Sequence, residues 1–121
     1  MSITGYSGPF TFATRFENAT GTNPEELVGA AQSGCYSMFL SALISGEGLN
    51  PESIETEAAV TLGTVDGGPA ITSIKLATVV KCTGLSQEKF AELAEAAKVK
   101  CPISRLYDGG TATIELDAQL V

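Results

Sequence analysis

Three features of this 121-residue chain predict an α+β domain in which an antiparallel β-sheet packs on a long buried central helix, with a second, amphipathic helix beside it. The run from Leu27 to Ile44 carries no charged side chain and places Leu, Val, Met, Phe and Ile on every face, the pattern of a helix buried all round. Asp66-Gly67-Gly68-Pro69 is a hairpin turn between two long strand-like segments. Thr111 to Val121 alternates apolar and polar residues strictly, as expected of a half-buried strand of the antiparallel kind.

The elements follow in order. Phe10 to Glu17 has the period of two of a strand, with Phe10, Phe12, Thr14 and Phe16 on one face and Arg15 on the other. Asn18 to Gly21 is a turn. Asn23 is the N-cap of the central helix, Pro24 fits its first position, and Glu26 stands three residues after the cap to close a capping box. Gly46, Gly48 and Pro51 end that helix. Strands are expected over Ser53 to Val65 and Ala70 to Cys82. Ser86 caps a second helix running to about Lys100, with Leu85 and Phe90 as a hydrophobic staple and Phe90, Leu93, Ala94 and Ala97 as its apolar stripe. A short element opens at Cys101-Pro102, and the last strand turns Ile114, Leu116, Ala118 and Leu120 inward.

Composition narrows the chemistry. The length corresponds to one domain, residues 1–121, large enough to bury about two-thirds of its unfolded surface. A net charge of −7 with scattered Lys and Arg offers no basic stripe, which argues against nucleic acid and anionic membrane surfaces as partners. Gln32, Ser33, Ser37 and Ser41 dilute the uncharged run, which argues against a membrane span. Met1-Ser2-Ile3-Thr4 has neither a basic nor an apolar leader region, so a cytoplasmic location is expected. With 0 histidines, neither a Ser-His-Asp triad nor a His-ligated zinc site can be built. Three cysteines without a Cys-x-x-Cys pair make a poor metal site, and no cofactor is expected.

What remains is Cys, Arg and carboxylate chemistry, and two thiols stand in unlike settings. Cys35 lies within the central helix among Ser33, Gly34, Tyr36 and Ser37, where it is either a small core residue or a sulfur facing a cleft. Cys101 precedes Pro102 at a helix start, where unpaired N–H groups and the helix dipole favour a thiolate; otherwise it is a cap or a surface thiol. Cys82, at a strand end, is incidental. Arg15 reads as a solvated strand residue or as part of a site.

The stretches Phe10-Thr11-Phe12-Ala13-Thr14-Arg15-Phe16-Glu17, Gly21-Thr22-Asn23-Pro24-Glu25-Glu26-Leu27, Ser33-Gly34-Cys35-Tyr36-Ser37-Met38, Val65-Asp66-Gly67-Gly68 and Cys101-Pro102-Ile103-Ser104 resemble, in order, the osmotically inducible protein C and organic hydroperoxide resistance superfamily, more closely its osmotically inducible protein C branch. The resemblance covers nearly the whole chain. It implies a homodimeric peroxidase for organic hydroperoxides and hydrogen peroxide, regenerated by a dithiol, in some members a lipoyl group. In that scheme Cys35 is the peroxidatic cysteine, Cys101 the resolving one, and Arg15 and Glu25 orient and activate the sulfur. Relatives carry further strand segments upstream that help form the dimer, and these are expected to be missing here. Gln32 stands where many relatives have His, so a polar contact is expected to be lost.

The physical chemistry bears on these roles. An unperturbed thiol is about 3% ionised at neutral pH, and lowering its pKa by three units gains about 30-fold in thiolate while costing about 15- to 30-fold in nucleophilicity. Because these nearly cancel, Arg15 must do more than make a thiolate, stabilising charge on the departing oxygen and positioning the peroxide. Ten positions on one straight helix separate Glu25 from Cys35 by about 15 Å along the axis, so within one subunit they cannot touch. Glu25 is therefore expected from a second subunit whose central helix runs antiparallel, with Ala30, Gly34, Ser37 and Ser41 allowing close approach or, alternatively, packing on the sheet.

Overall fold

The computed structural model describes residues 2, 3, 6–17 and 19–121. Strands β1 (Ser2–Ile3) and β2 (Tyr6–Ser7) pair antiparallel at the N-terminal end. Then come α1 (Phe12–Phe16), α2 (Pro24–Gly46), β3 (Ser53–Val65), β4 (Gly68–Lys81), α3 (Gln87–Lys100), α4 (Pro102–Tyr107) and β5 (Thr113–Leu120). The fold is α+β, as the sequence predicts.

The strand expected over Phe10 to Glu17 is instead the short helix α1. Thr11 caps it, and a reciprocal box forms in which Thr14 N–H donates to Thr11 Oγ1 at 3.3 Å and Thr11 N–H donates to Thr14 Oγ1 at 2.8 Å. Threonine hydroxyls that satisfy nearby backbone groups compete directly with a sheet ladder, and here they win. Phe12, which the strand reading places on one face with Phe10, is 70% exposed. In the turn that follows, Asn18 lies outside the described residues, and Gly21 adopts φ +142°, where a Cβ would meet Thr14 Cγ2 at 2.7 Å and Pro9 O at 2.8 Å.

The start of α2 follows the sequence signals. Asn23 caps the helix, accepting the Glu26 N–H at 2.8 Å, and Pro24 opens it. The capping box is altered: the Glu26 carboxylate takes the Thr22 hydroxyl at 3.1 Å. By length and composition α2 could cross a membrane, yet one face of it packs on protein. Its buried residues are Glu25, Gly29, Gln32, Tyr36, Leu40 and Ile44, spaced three or four apart, which is one stripe and not the all-round burial expected. The opposite face stays open in this chain, with Met38 76% exposed. An uncharged sequence therefore reported a face with little polarity, not a face with a neighbour. Gly29 sets the approach to the sheet, since a Cβ there would stand 3.1 Å from Val60 Cγ2.

The sheet order is β3-β4-β5. The hairpin forms as read, Val65 opposite Gly68, across Asp66 and Gly67 with φ of 50° and 78°, both in the left-handed region that a two-residue hairpin turn requires. A register shift lies at Thr61/Leu62. The last strand corrects the antiparallel expectation: β5 runs parallel to β4, with Ile74 opposite Ile114 and Val80 opposite Leu120. Alternation reports which face is buried and is silent on direction; the crossover through α3 and α4 is what a parallel pair needs. The sheet is therefore mixed.

The core lies between α2, α3 and the sheet. Tyr36, Leu40 and Ile44 of α2 meet Leu76 and Val80 of β4 and Phe90, Leu93, Ala94 and Ala97 of α3, the stripe the sequence predicts. Each large aliphatic or aromatic side chain buried here stabilises the fold by roughly 1.5–3 kcal/mol. Leu85 and Phe90 are both part of this cluster. Cys82 is a buried member of it, with its S–H directed at the Thr83 carbonyl, 3.9 Å away.

Candidate active site

Two constellations emerge at the two sides of α2. The first is built where α1 docks on the start of that helix. Asn23 Nδ2 donates to the Thr14 carbonyl at 3.2 Å, and Thr22 N–H donates to Pro9 O at 3.3 Å, which ties α1 down. Arg15 is thereby aimed at Glu25: its Nε donates to Glu25 Oε1 at 2.9 Å, and its Nη2 reaches the same oxygen. The Glu25 side chain is mostly buried and that of Arg15 is 39% exposed, so the pair is worth about 1 kcal/mol at most after solvent screening. Its value is positional. It borders a cavity of about 330 Å³ that Gly29, Ala58, Val60 and Leu62 also line.

The second constellation holds the thiols. Cys101 is completely buried and is the N-cap of α4, with Pro102 as its first residue. Its Sγ accepts the Ser104 N–H at 3.4 Å, and its S–H donates to Ser104 Oγ at 3.0 Å. Gln32 reaches in from α2: Nε2 donates to Ser104 Oγ at 2.6 Å and lies 3.9 Å from Cys101 Sγ. The contact expected to be lost at Gln32 is thus made, by the amide itself. Gln32 Oε1 is buried without a partner among the described residues, a cost of about 1–3 kcal/mol.

One helical turn beyond Gln32, Cys35 is half-buried and has the Cys101 thiol as a neighbour. Burial pushes the Cys35 thiol above its ordinary value, the Ile103 backbone N–H pulls it back, and the neighbouring Cys101 raises it again; the net direction is up. Cys35 opens onto an apolar groove of about 560 Å³ floored by Ala31, Gly34, Met38, Phe39 and Pro102.

The structure therefore brings Cys35 together with Cys101, and Arg15 together with Glu25. It does not bring the two pairs together within one chain. Glu25 and Cys35 sit ten residues apart on the same helix, about 15 Å along its axis. The sequence singles out Gln32 only as a lost polar contact, and Ser104 only as part of the motif around Cys101, not as neighbours of that thiol. The available signals were a strongly polar amide three residues before Cys35 in an otherwise uncharged run, and a serine three residues after the capping Cys101.

A family model described as OsmC-like protein matches residues 17–117. The chain belongs to the OsmC-like family. It is 46% identical over 112 residues to the Escherichia coli (strain K12) protein named peroxiredoxin OsmC, a match spanning 93% of this chain and 76% of that one. It is 33% identical over 94 residues to the organic hydroperoxide resistance protein OhrB of Bacillus subtilis (strain 168), spanning 77% and 67%. Among solved structures, an OsmC-like protein from Mycoplasma pneumoniae superposes with a TM-score of 0.77 at 16% identity, covering 90% of this chain and 79% of that one, a likeness of fold alone. The B. subtilis OhrB structure superposes at 0.65 with 30% identity, covering 86% and 73%. Family members thus share this arrangement of sheet and helices.

Proposed function

We propose that this chain is a cysteine-based peroxidase that reduces hydroperoxides, with Cys35 as the attacking sulfur and Cys101 as its resolving partner. The observation that carries this reading is the neighbourhood of the two thiols, Cys35 and Pro102 (the residue after Cys101) lining one apolar groove suited to an alkyl hydroperoxide. The names of its relatives, peroxiredoxin and organic hydroperoxide resistance protein, support the same class of reaction.

The cycle balances as follows. The Cys35 thiolate attacks the distal peroxide oxygen, the O–O bond breaks, and the alcohol leaves with a proton, so that Cys35 becomes a sulfenic acid. The Cys101 sulfur then attacks the Cys35 sulfur; an S–S bond forms, the S–O bond breaks, and hydroxide leaves as water with the Cys101 proton. A dithiol reduces the disulfide by exchange and is itself oxidised to a disulfide.

The first step asks for a cation near the sulfur, and Cys35 within a single chain has burial working against its thiolate. A second copy supplies what is missing. The open face of α2 exposes Ala31, Gly34, Met38 and Ala42, the same residues that line the groove, and a Cβ at Gly34 would meet nothing within 4 Å, which leaves room for another helix to wall the groove. An antiparallel neighbour on that face brings its own Arg15–Glu25 pair toward Cys35, giving a homodimer with two composite sites.

The test is consumption of tert-butyl hydroperoxide with dihydrolipoamide as reductant, wild type against Cys35→Ser. Turnover is expected for the wild type alone; equal rates in the two proteins overturn the proposal.

A further inference from the structure

The buried amide beside the thiols is the feature that the chemistry above leaves unused. Gln32 has no exposed surface, sits in a helix whose other deeply buried side chains are mostly apolar, and leaves its Oε1 unpartnered among the described residues. A core position without a task is better served by an apolar side chain, so a fully buried, half-satisfied amide calls for an explanation. Its one firm contact is with Ser104 Oγ, at 2.6 Å. That oxygen in turn accepts the Cys101 S–H at 3.0 Å, while the Ser104 backbone N–H donates to the same sulfur at 3.4 Å. The contacts form a closed set linking α2, which carries Cys35, to the first turn of α4, which carries Cys101.

We infer that Gln32 and Ser104 are positioning residues for disulfide formation, holding the Cys101 sulfur and its proton in place against Cys35. The inference rests on the peroxidase cycle proposed above and concerns its second step. In that step the Cys101 sulfur must keep its aim at Cys35 while its proton departs with the leaving hydroxide. Ser104 Oγ holds the thiol hydrogen beforehand, which sets the direction of the S–H bond and turns the sulfur's lone pairs elsewhere. Gln32 Nε2 in turn holds Ser104 Oγ. As the S–H bond is lost, the Ser104 N–H and the Gln32 amide remain as donors near the sulfur, so the site keeps its polar contacts through the change. Gln32 lies on the same helix as Cys35, three residues before it, so the hydrogen bond to Ser104 also fixes the spacing between the two sulfur-bearing elements.

The experiment separates the two steps on the full chain. Reduced protein is mixed with one equivalent of tert-butyl hydroperoxide; oxidation of Cys35 is followed by quenching with dimedone, and disulfide formation by intact mass. Gln32→Leu and Ser104→Ala are compared with wild type, and Ser104→Thr serves as the variant that keeps the hydroxyl. The ratio of the disulfide rate to the Cys35 oxidation rate is expected to fall about tenfold in Gln32→Leu and Ser104→Ala, the loss of one to two hydrogen bonds' worth of orientation, and the dimedone adduct on Cys35 to accumulate. Ser104→Thr is expected to restore the ratio to within about threefold of wild type, as its hydroxyl replaces the lost acceptor. A ratio within about twofold of wild type in both apolar variants overturns the inference, because a lost orienting contact costs more than that. So does a Ser104→Thr ratio no better than that of Ser104→Ala, which points to packing and not to the hydroxyl. Should Gln32→Leu fail to fold, the serine pair decides alone. Absence of any Cys35 oxidation in the wild type instead removes the peroxidase cycle itself, an outcome distinct from an unchanged ratio.

Discussion

Removing the guanidinium by Arg15→Ala tests how Cys35 is activated. Within one chain Arg15 is held by Glu25 at the start of α2, about 15 Å from Cys35 along the helix axis. At that distance a unit charge acting through water is worth about 0.3 kcal/mol, or about 0.2 of a pKa unit, and salt screens it further. A guanidinium brought to about 4 Å of the sulfur at a protein surface is worth about 4 kcal/mol, or about three units. Burial alone moves the Cys35 thiol upward, so the isolated chain and a composite site predict opposite behaviour. The sign is direct: a raised thiol pKa makes alkylation slow at neutral pH and faster only as the medium becomes alkaline. The assay is the pH dependence of Cys35 alkylation by iodoacetamide, located by peptide mass spectrometry, over protein concentrations that span dissociation of the proposed dimer. At high concentration the wild type is expected to alkylate Cys35 with a midpoint at least about two units below that of Arg15→Ala, a margin that allows for partial screening of the full charge effect. Dilution should move the wild type toward the variant. Coincident midpoints for wild type and Arg15→Ala at every concentration refute the idea that this arginine activates the sulfur.

Two further outcomes follow from the packing. Gly21→Ala places a Cβ at 2.7–2.8 Å from Thr14 and Pro9 in a backbone that is already at positive φ, so it is expected to cost about 1–3 kcal/mol in urea unfolding and to loosen α1, and with it Arg15; a change under about 0.5 kcal/mol means the turn relaxes freely. Tyr36 is fully buried, with its hydroxyl donating to the Ala94 carbonyl at 3.1 Å, and burial, Glu95 and Cys101 all hold its pKa well above the ordinary phenol value. The folded state keeps that proton while the unfolded state releases it near pH 10, so this contribution to stability is present below about pH 10 and is lost as the pH rises further. Phenolate absorbance from Tyr36, taken as the difference between wild type and Tyr36→Phe, is expected to appear only together with loss of the far-ultraviolet helix signal. A Tyr36 titration completed in the folded protein near pH 10 contradicts the burial argument.

Local signals read correctly wherever one residue type has one physical task. Asn23 and Ser86 cap their helices because their side chains reach the backbone N–H three residues on, and Asp66-Gly67 turns the hairpin because those residues tolerate positive φ. The α3 stripe and the alternation of β5 were legible for the same reason, since burial imposes a period. Phe10 to Glu17 misled because its alternation suits a strand while its paired threonines suit a capped turn, and neighbouring structure, not the local pattern, decides between them.

The sequence by itself determined the positions of α2, α3 and the long strands, the family, and the residue types available for chemistry: two thiols in polar or capping surroundings, and an arginine and a carboxylate near the start of α2. These depend on contacts within a few residues or on the identity of the side chains. Only the tertiary structure decided that β5 runs parallel to β4, that α2 buries a single stripe, that Arg15 pairs with Glu25, and that Gln32 and Ser104 surround Cys101. Each of those joins residues brought close by chain reversals, ten positions apart for Arg15 and Glu25 and 72 for Gln32 and Ser104. No periodicity encodes a hydrogen bond across such a separation; it exists because the packed backbone brings those polar groups within reach of one another.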